Sequence, residues 1–247
     1  MHGVDGAFLQ RFAGQCEVDG NTEGATADIM RIRDEVGDRV REAAEKEGRV
    51  FAIMYAYTDH LPSSQLELIQ IYRYDVTGVP PERIEKVIQV DWAHLMNEKR
   101  VLDSPCYLRE KGKPVIALWG FGFSDRGHDP AVVRRIVQQI RSVTPGGAYI
   151  MAGTPTHWQT STGDADPNPE FLDVWYNDFD AISPWTVGRY NNEDAADRFA
   201  EEKVKKDMEA LRSNTNGRHV DYIPVVLPGG SVGYVGGSSS CPIFTPI

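Results

Sequence analysis

The chain has 247 residues, of which 41% are hydrophobic and 25% are charged, a composition typical of globular proteins that form one large domain or two small ones. Its formal net charge of −10 argues against nucleic acid as the main partner, because phosphate binding requires a basic surface. An acidic surface is compatible with neutral ligands such as sugars, and no apolar run is long enough to cross a membrane.

The cysteines and the first residues bear on the cellular compartment. Cys16, Cys106 and Cys241 are odd in number and far apart, which predicts free thiols without a disulfide framework or a zinc pattern. The start "MHGVDGAFLQRF" has no signal-peptide pattern, which predicts an intracellular protein if Met1 is the true start. The resemblance described below questions that start, so the location stays open, secretion included.

The first elements alternate strand and helix. "GVDGAFLQRF" from Gly3 predicts a strand. The next segment predicts a helix that ends at Gly48, because apolar residues recur every three or four positions: Ile29, Ile32, Val36, Val40 and Ala43. "RVFAIMY" predicts the second strand.

The alternation continues after an irregular region. Pro80 and Pro81 begin a predicted helix, and a Lys-Gly-Lys turn leads into the strand "KPVIALWGFGF". Asp129 is expected to cap the helix "PAVVRRIVQQIRSV". Then come the strands "AYIMAG" and "FDAISPW", a helix through "DAADRFAEEKVKKDMEALRS" capped by Asn191 or Asn192, and the strand "VDYIPVVL".

The six predicted strands are continuous apolar runs, which is typical of parallel strands covered on both faces. An open doubly wound sheet and a (β/α)8 TIM barrel both fit this pattern. Nearly every strand ends in aromatic, His or charged residues, as barrel active sites require, and no G-x-G-x-x-G motif follows the first strand. The sequence therefore predicts an α/β fold of the TIM-barrel type.

The strand ends also supply the candidate ligand-binding residues. Aromatic faces stack on sugar rings, whereas carboxylates bind hydroxyl groups. The predicted substrate-binding set is Asp5, Asp75, Trp119, Asp125, His157, Trp158 and Trp185. A simpler reading makes His157 a structural hydrogen-bonding group. No second His stands at metal-ligand spacing, so no metal site is predicted. No catalytic residue is assigned, because no Glu pair stands at the strand ends.

Five segments in order carry a family resemblance: "GVDGAFLQRF", "SPCYLREKGKPVIALWGFGF", "PTHW", "FDAISPWTVGRY" and "YIPVVLPGGS". Together they resemble the glycoside hydrolase family 71/99-like proteins, some of them described as xylosidase/arabinosidase, which are distant relatives of endo-α-mannosidases. The resemblance implies one barrel-type catalytic domain over residues 1–247 that acts on glycans without a metal or an organic cofactor.

The chain departs from this family at three places. The family has a strand before the one that begins at Gly3, and in its mannosidase relatives an eighth strand ends in a W/F-N/D-E-x-x-E-G motif that carries the catalytic carboxylates. Neither is found in this sequence, and residues 232–247 are expected to form an irregular tail. Strands two to seven are thus expected to form an open sheet that self-associates through its edges. Residues 56–73 are an insertion, read either as a lid or as translated intron.

Three functions remain open at this stage. The first is a glycoside hydrolase-like enzyme of oligo- or polysaccharides that lacks its carboxylate motif. The second is a non-catalytic carbohydrate-binding relative. The third, a sugar-phosphate barrel enzyme, would use the Gly-rich segment "PGGSVGYVGG" as a phosphate loop.

Overall fold

The computed structural model describes residues 4–12, 25–56, 81–214 and 218–226. Its strands are β1 (Gly6–Phe12), β2 (Val50–Ala56), β3 (Arg109–Glu110), β4 (Lys113–Trp119), β5 (Tyr149–Thr154), β6 (Ala181–Pro184) and β7 (Asp221–Tyr222). Its α-helices are α1 (Ala25–Glu47), α2 (Pro81–Asn97), α3 (Pro130–Val143), α4 (Glu170–Asn177), α5 (Glu193–Phe199) and α6 (Lys205–Ser213).

The strands form one mixed sheet whose main part is parallel. The parallel strands lie in the order β1-β2-β4-β5-β6-β7, and the short β3 pairs antiparallel with β4. The predicted α/β class with a parallel sheet is therefore confirmed. Among the described residues, no pairing joins β1 to β7.

The first four helices form a layer on one face of this sheet. Asp34 Oδ2 of α1 lies 2.7 Å from His94 Nε2 of α2. The side chains of Glu85 in α2 and Arg135 in α3 form an ion pair at 3.1 Å, and Arg134 of α3 reaches Asp178 at the end of α4 at 2.8 Å. Consecutive helices are thus neighbours, as expected when each crossover follows the same hand.

Alternate side chains of each strand point toward the helix layer and toward the opposite face of the sheet. Side chains alternate along a strand with a period of two. One aligned row faces the helices and contains Leu9, Ile53, Ile116, Ile150. The neighbouring row, Gln10, Met54, Ala117, Met151, Ala181, faces the other way. The buried core lies mainly between the sheet and its helices.

Arg11 points into the helix layer, where it holds a buried charge cluster. Its guanidinium donates to both carboxylate oxygens of Asp91 in α2, at 2.8 and 2.6 Å, and Tyr55 of β2 donates to Asp91 at 2.8 Å. Arg11 also donates to Asp34 of α1 at 3.2 Å, and Asp34 contacts His94. The cluster therefore ties β1 and β2 to α1 and α2.

Several local predictions are confirmed. Gly48 ends α1 with a left-handed φ of 61°. Asp129 caps α3 by accepting a hydrogen bond from the backbone N–H of Ala131, with Pro130 at the first helical position. Asn192, not Asn191, caps α5 through the N–H of Ala195. The Lys111–Gly112 turn is present and has positive φ at both positions.

Other local predictions were wrong or incomplete. Neither the short α4 nor the β3–β4 hairpin was predicted from the sequence. The last predicted helix is interrupted by a π-helical segment, Ala200–Val204. The last strand is shorter than predicted, because only Asp221 and Tyr222 pair. Most of the 56–73 insertion, the 232–247 tail, Cys16 and Cys241 lie outside the described residues. Cys106 is a free cysteine.

Within the described ranges, no helix combines the length and the apolar character that a bilayer span requires.

Candidate functional site

A cavity of about 770 Å³ lies on the face of the sheet opposite the helices, toward the carboxyl ends of the strands. All main parallel strands or the residues just after them contribute to its walls. Its lining residues are Phe8, Gln10, Met54, Trp119, Gly120, Phe123, Arg126, Met151, Ser183, Trp185, Ile223, Pro224 and Val225. This is an apolar cavity with a few polar groups, the usual character of a small-molecule site.

Two tryptophans at the carboxyl ends of β4 and β6 form one wall of the cavity. Trp119 ends β4 and Trp185 follows β6, and their ring centroids lie 5.7 Å apart at an interplanar angle of 76°. Both are partly exposed, Trp185 to 38%, whereas Trp92, Trp158 and Trp175 are fully buried. The two accessible tryptophans of the described residues are thus the two that line the cavity.

Gly153 makes room for the Trp119 ring. In the register, Gly153 of β5 lies beside Trp119, and a Cβ built on Gly153 would fall 1.9 Å from Trp119 Cδ2. Any side chain at this position therefore displaces the indole. The Trp119 ring therefore packs directly against the backbone of β5.

The change Gly153→Ala should move Trp119 out of its position and lower the free energy of unfolding by about 1–3 kcal/mol, as overpacking does. Urea titration followed by fluorescence measures both effects. Gly37→Ala in α1 is the matched control, because its new Cβ would lie 3.4 Å from Leu9 Cδ2 and adds helix propensity. If both variants retained wild-type stability and emission, the proposed packing of Trp119 over Gly153 would be wrong.

The polar groups of the cavity are neutral or basic. Gln10 and Ser183 contribute neutral hydrogen-bonding side chains. Arg126 donates to the carbonyl oxygen of Gly120 at 2.9 Å, and its guanidinium lies 4.6 Å from the centre of the Phe123 ring. No Asp or Glu lines the cavity in the described part of the chain. The walls thus offer binding groups but no carboxylate for acid–base chemistry.

The structure brings only part of the predicted site set together. Trp119 and Trp185 line the cavity. Asp125 lies next to Arg126, 3.7 Å from its Nε, with its side chain mostly exposed. Asp75 lies outside the described residues.

Two of the predicted site residues lie elsewhere. Asp5 precedes β1, so it lies at the amino end of the strands, opposite the cavity, where it contacts Arg49. Trp158 is only 1% exposed and packs edge to face against Tyr176 of α4, so the core, not a ligand, covers its indole. The prediction for Asp5 assumed that the first strand begins before Asp5. The prediction for Trp158 assumed that its side chain binds a ligand, whereas it packs in the core.

His157 forms a defined pair with Asp164 in the loop after β5. His157 Nδ1 lies 2.7 Å from Asp164 Oδ1. Asp164 also accepts from the backbone N–H groups of Thr156 and His157, at 2.9 and 3.0 Å, and from Arg189 at 2.5 Å. Burial alone would raise the pKa of the Asp164 carboxyl, but the hydrogen bonds from Thr156 and His157 outweigh burial and lower the pKa below its ordinary value.

Asp164 was not among the predicted site residues, although it holds His157 in place. The two residues stand seven positions apart in a Thr- and Gly-rich loop, where no periodicity connects them. Gly163 has a left-handed φ of 62°, and a Cβ there would lie 2.9 Å from His157 Nδ1. The available signal was the order His-x6-Asp with a Gly directly before the Asp, which permits the loop to fold back.

Metal ligation finds no support among the described residues, since they contain no group of three or more His, Cys, Asp or Glu side chains close enough to bind an ion. Comparisons of the chain with protein-family models, with curated proteins and with solved structures found no match.

Proposed function

We propose that this chain is a glycoside hydrolase-like protein whose cavity binds an oligosaccharide. The observation that carries the proposal is the wall formed by Trp119 and Trp185, the two accessible tryptophans of the described residues. Large aromatic faces next to scattered hydrogen-bonding groups suit a sugar ring, which has apolar C–H faces and a polar rim. Gln10, Ser183 and Arg126 supply donors and acceptors for hydroxyl groups.

The scaffold that fits this proposal is of the TIM-barrel type. The described parallel strands follow one another across the sheet in chain order, whereas a doubly wound sheet reverses its order at a switch point. The first four helices lie in one layer, as on the outside of a barrel. The cavity then occupies the inner face at the carboxyl ends of the strands, where barrel enzymes bind their substrates.

A second candidate, carbohydrate binding without cleavage, is favoured by one observation. Glycoside hydrolysis ordinarily uses two carboxyl groups that face each other across the glycosidic bond. The described lining of the cavity contains neither Asp nor Glu. The described lining therefore offers groups that suit the binding of a glycan and contains no acid–base pair.

Titration calorimetry and a reducing-sugar assay separate these functions. We expect xylo-, arabino- or manno-oligosaccharides to bind to the purified protein and no reducing sugar to be released, because the described cavity supplies no carboxylate pair. Binding together with release would show an active glycosidase and contradict the second candidate. Absence of binding by all three series would overturn the proposal as a whole.

A further inference from the structure

We propose that His157, in the loop after β5, is a specificity-determining contact for a glycan that extends beyond the cavity. Its Nε2 accepts a hydrogen bond from a hydroxyl group of the bound glycan, and Asp164 is the residue that positions it. This inference rests on the proposed function for the identity of the ligand. The state of the imidazole itself follows from the protein alone.

The Asp164 carboxylate fixes which nitrogen of the imidazole carries the proton. Asp164 has a lowered pKa and is therefore ionised at neutral pH, so it can only accept hydrogen bonds. His157 Nδ1, 2.7 Å away, must be the donor. In the neutral imidazole the lone pair then stands on Nε2. The His157 side chain is 41% exposed, so a ligand can reach it.

Asp164 is itself held in place by hydrogen bonds from its own loop and from the loops after β4 and β6. The backbone N–H groups of Thr156 and His157 and the guanidinium of Arg189 all donate to its carboxylate. Its backbone carbonyl accepts from the N–H of Ser124 at 3.0 Å, in the loop after β4. A carboxylate with this many donors has little freedom, and the imidazole bonded to it has correspondingly little.

The same contacts join the pair to the cavity wall. Arg189 Nε donates to Thr156 Oγ1 at 2.8 Å, and Thr156 Oγ1 donates to the backbone carbonyl of Trp185 at 2.6 Å. On the other side, Phe123, which lines the cavity, forms a β-bridge with Ala165, next to Asp164. The loop that carries His157 is thus bonded to the segments of two cavity-lining residues, Trp185 and Phe123.

The expected consequence is selectivity for one hydroxyl group of the ligand. A site built to accept from a hydroxyl loses affinity for an analogue without it, because the protein acceptor is left without its partner. Neither aromatic stacking on Trp119 nor contact with Trp185 would make this distinction, since a ring face is insensitive to a single hydroxyl.

The first test reads the tautomer without any ligand. We expect 15N NMR of His157 in the wild-type protein at mildly alkaline pH to show a protonated Nδ1 and an unprotonated Nε2. Asp164→Asn should abolish this preference. His219 provides the internal reference, because it is mostly exposed and reaches Asp221 through Nε2 at 2.8 Å, which favours the opposite tautomer. A wild-type His157 protonated on Nε2 would overturn the inference.

The second test measures affinity for xylotriose, arabinotriose and mannotriose and for their singly deoxygenated forms. We expect His157→Ala to weaken binding of the preferred trisaccharide about tenfold. The wild-type protein should bind one deoxy analogue more weakly than the parent sugar, and His157→Ala should remove this difference in affinity. His219→Ala should change neither the affinity nor the difference. If the wild-type protein binds a trisaccharide and the His157→Ala variant binds it equally well, this inference is refuted but the proposed function is not. If the wild-type protein binds none of the three sugars, both the proposed function and the ligand contact of His157 are overturned. The tautomer of His157 is measured without a ligand and does not depend on that outcome.

Discussion

Replacing Arg11 by Met is expected to lower the free energy of unfolding by about 3–5 kcal/mol, the largest stability effect we foresee for a single substitution. Arg11 is 1% exposed and donates to both oxygens of Asp91, which is equally buried. Removing the guanidinium leaves the Asp91 carboxylate in the helix layer with Tyr55 as its remaining donor from the sheet. The desolvation cost of the charge is then no longer offset.

Urea unfolding monitored by fluorescence measures this effect, and a double variant separates its causes. Arg11→Met with Asp91→Leu should recover most of the stability, because it replaces both charges with apolar side chains. Arg39→Met is the matched control, since Arg39 pairs with Glu42 on an exposed helix face and should change stability by less than about 0.5 kcal/mol. Equal stabilities for the Arg11 and Arg39 variants would contradict the burial of the Arg11 cluster.

Replacing Trp119 by Ala is expected to weaken oligosaccharide binding by at least tenfold, that is by about 1.4 kcal/mol or more. The indole lies over Gly153 and against Trp185, so its removal deletes one aromatic face and loosens the other. Trp119→Phe should retain part of the affinity, because a smaller aromatic face remains. Titration calorimetry gives the affinity of each variant.

Val90→Ala is a suitable control for this series, because Val90 is an exposed apolar residue on α2 and does not line the cavity. It should bind oligosaccharide as tightly as the wild-type protein does. If Trp119→Ala bound as tightly as Val90→Ala, the aromatic wall would not be a sugar-binding surface.

Features set by a few adjacent residues were predictable from the sequence. Asp129 before Pro130 gives a helix cap because a short carboxylate reaches the free N–H groups of the first turn. Gly48 ends α1 because only Gly adopts a left-handed φ without a steric cost. The continuous apolar runs likewise predicted the parallel sheet. They also indicated strands covered on both faces, whereas the first four helices form a layer on one face.

Features set by contacts between distant residues were not predictable. Arg11 and Gln10 are adjacent in β1, yet only Gln10 faces the cavity, and which of the two does so depends on the register with β2. Trp158 and Trp185 both follow strands, but α4, which the sequence analysis missed, covers the first of them. The attachment of His157 to Asp164 depends on a loop that folds back on itself, and the Gly before Asp164 is the one local sign of this fold in the sequence.

The tryptophan fluorescence of the wild-type protein during an oligosaccharide titration tests the central claim most directly. Because Trp92, Trp158 and Trp175 are buried, a change of emission on binding must come mainly from Trp119 and Trp185. We predict a saturable shift to shorter wavelength that the double variant Trp119→Phe, Trp185→Phe loses. Calorimetrically detected binding that leaves the wild-type emission unchanged, or the absence of any binding, would contradict a carbohydrate site at this wall.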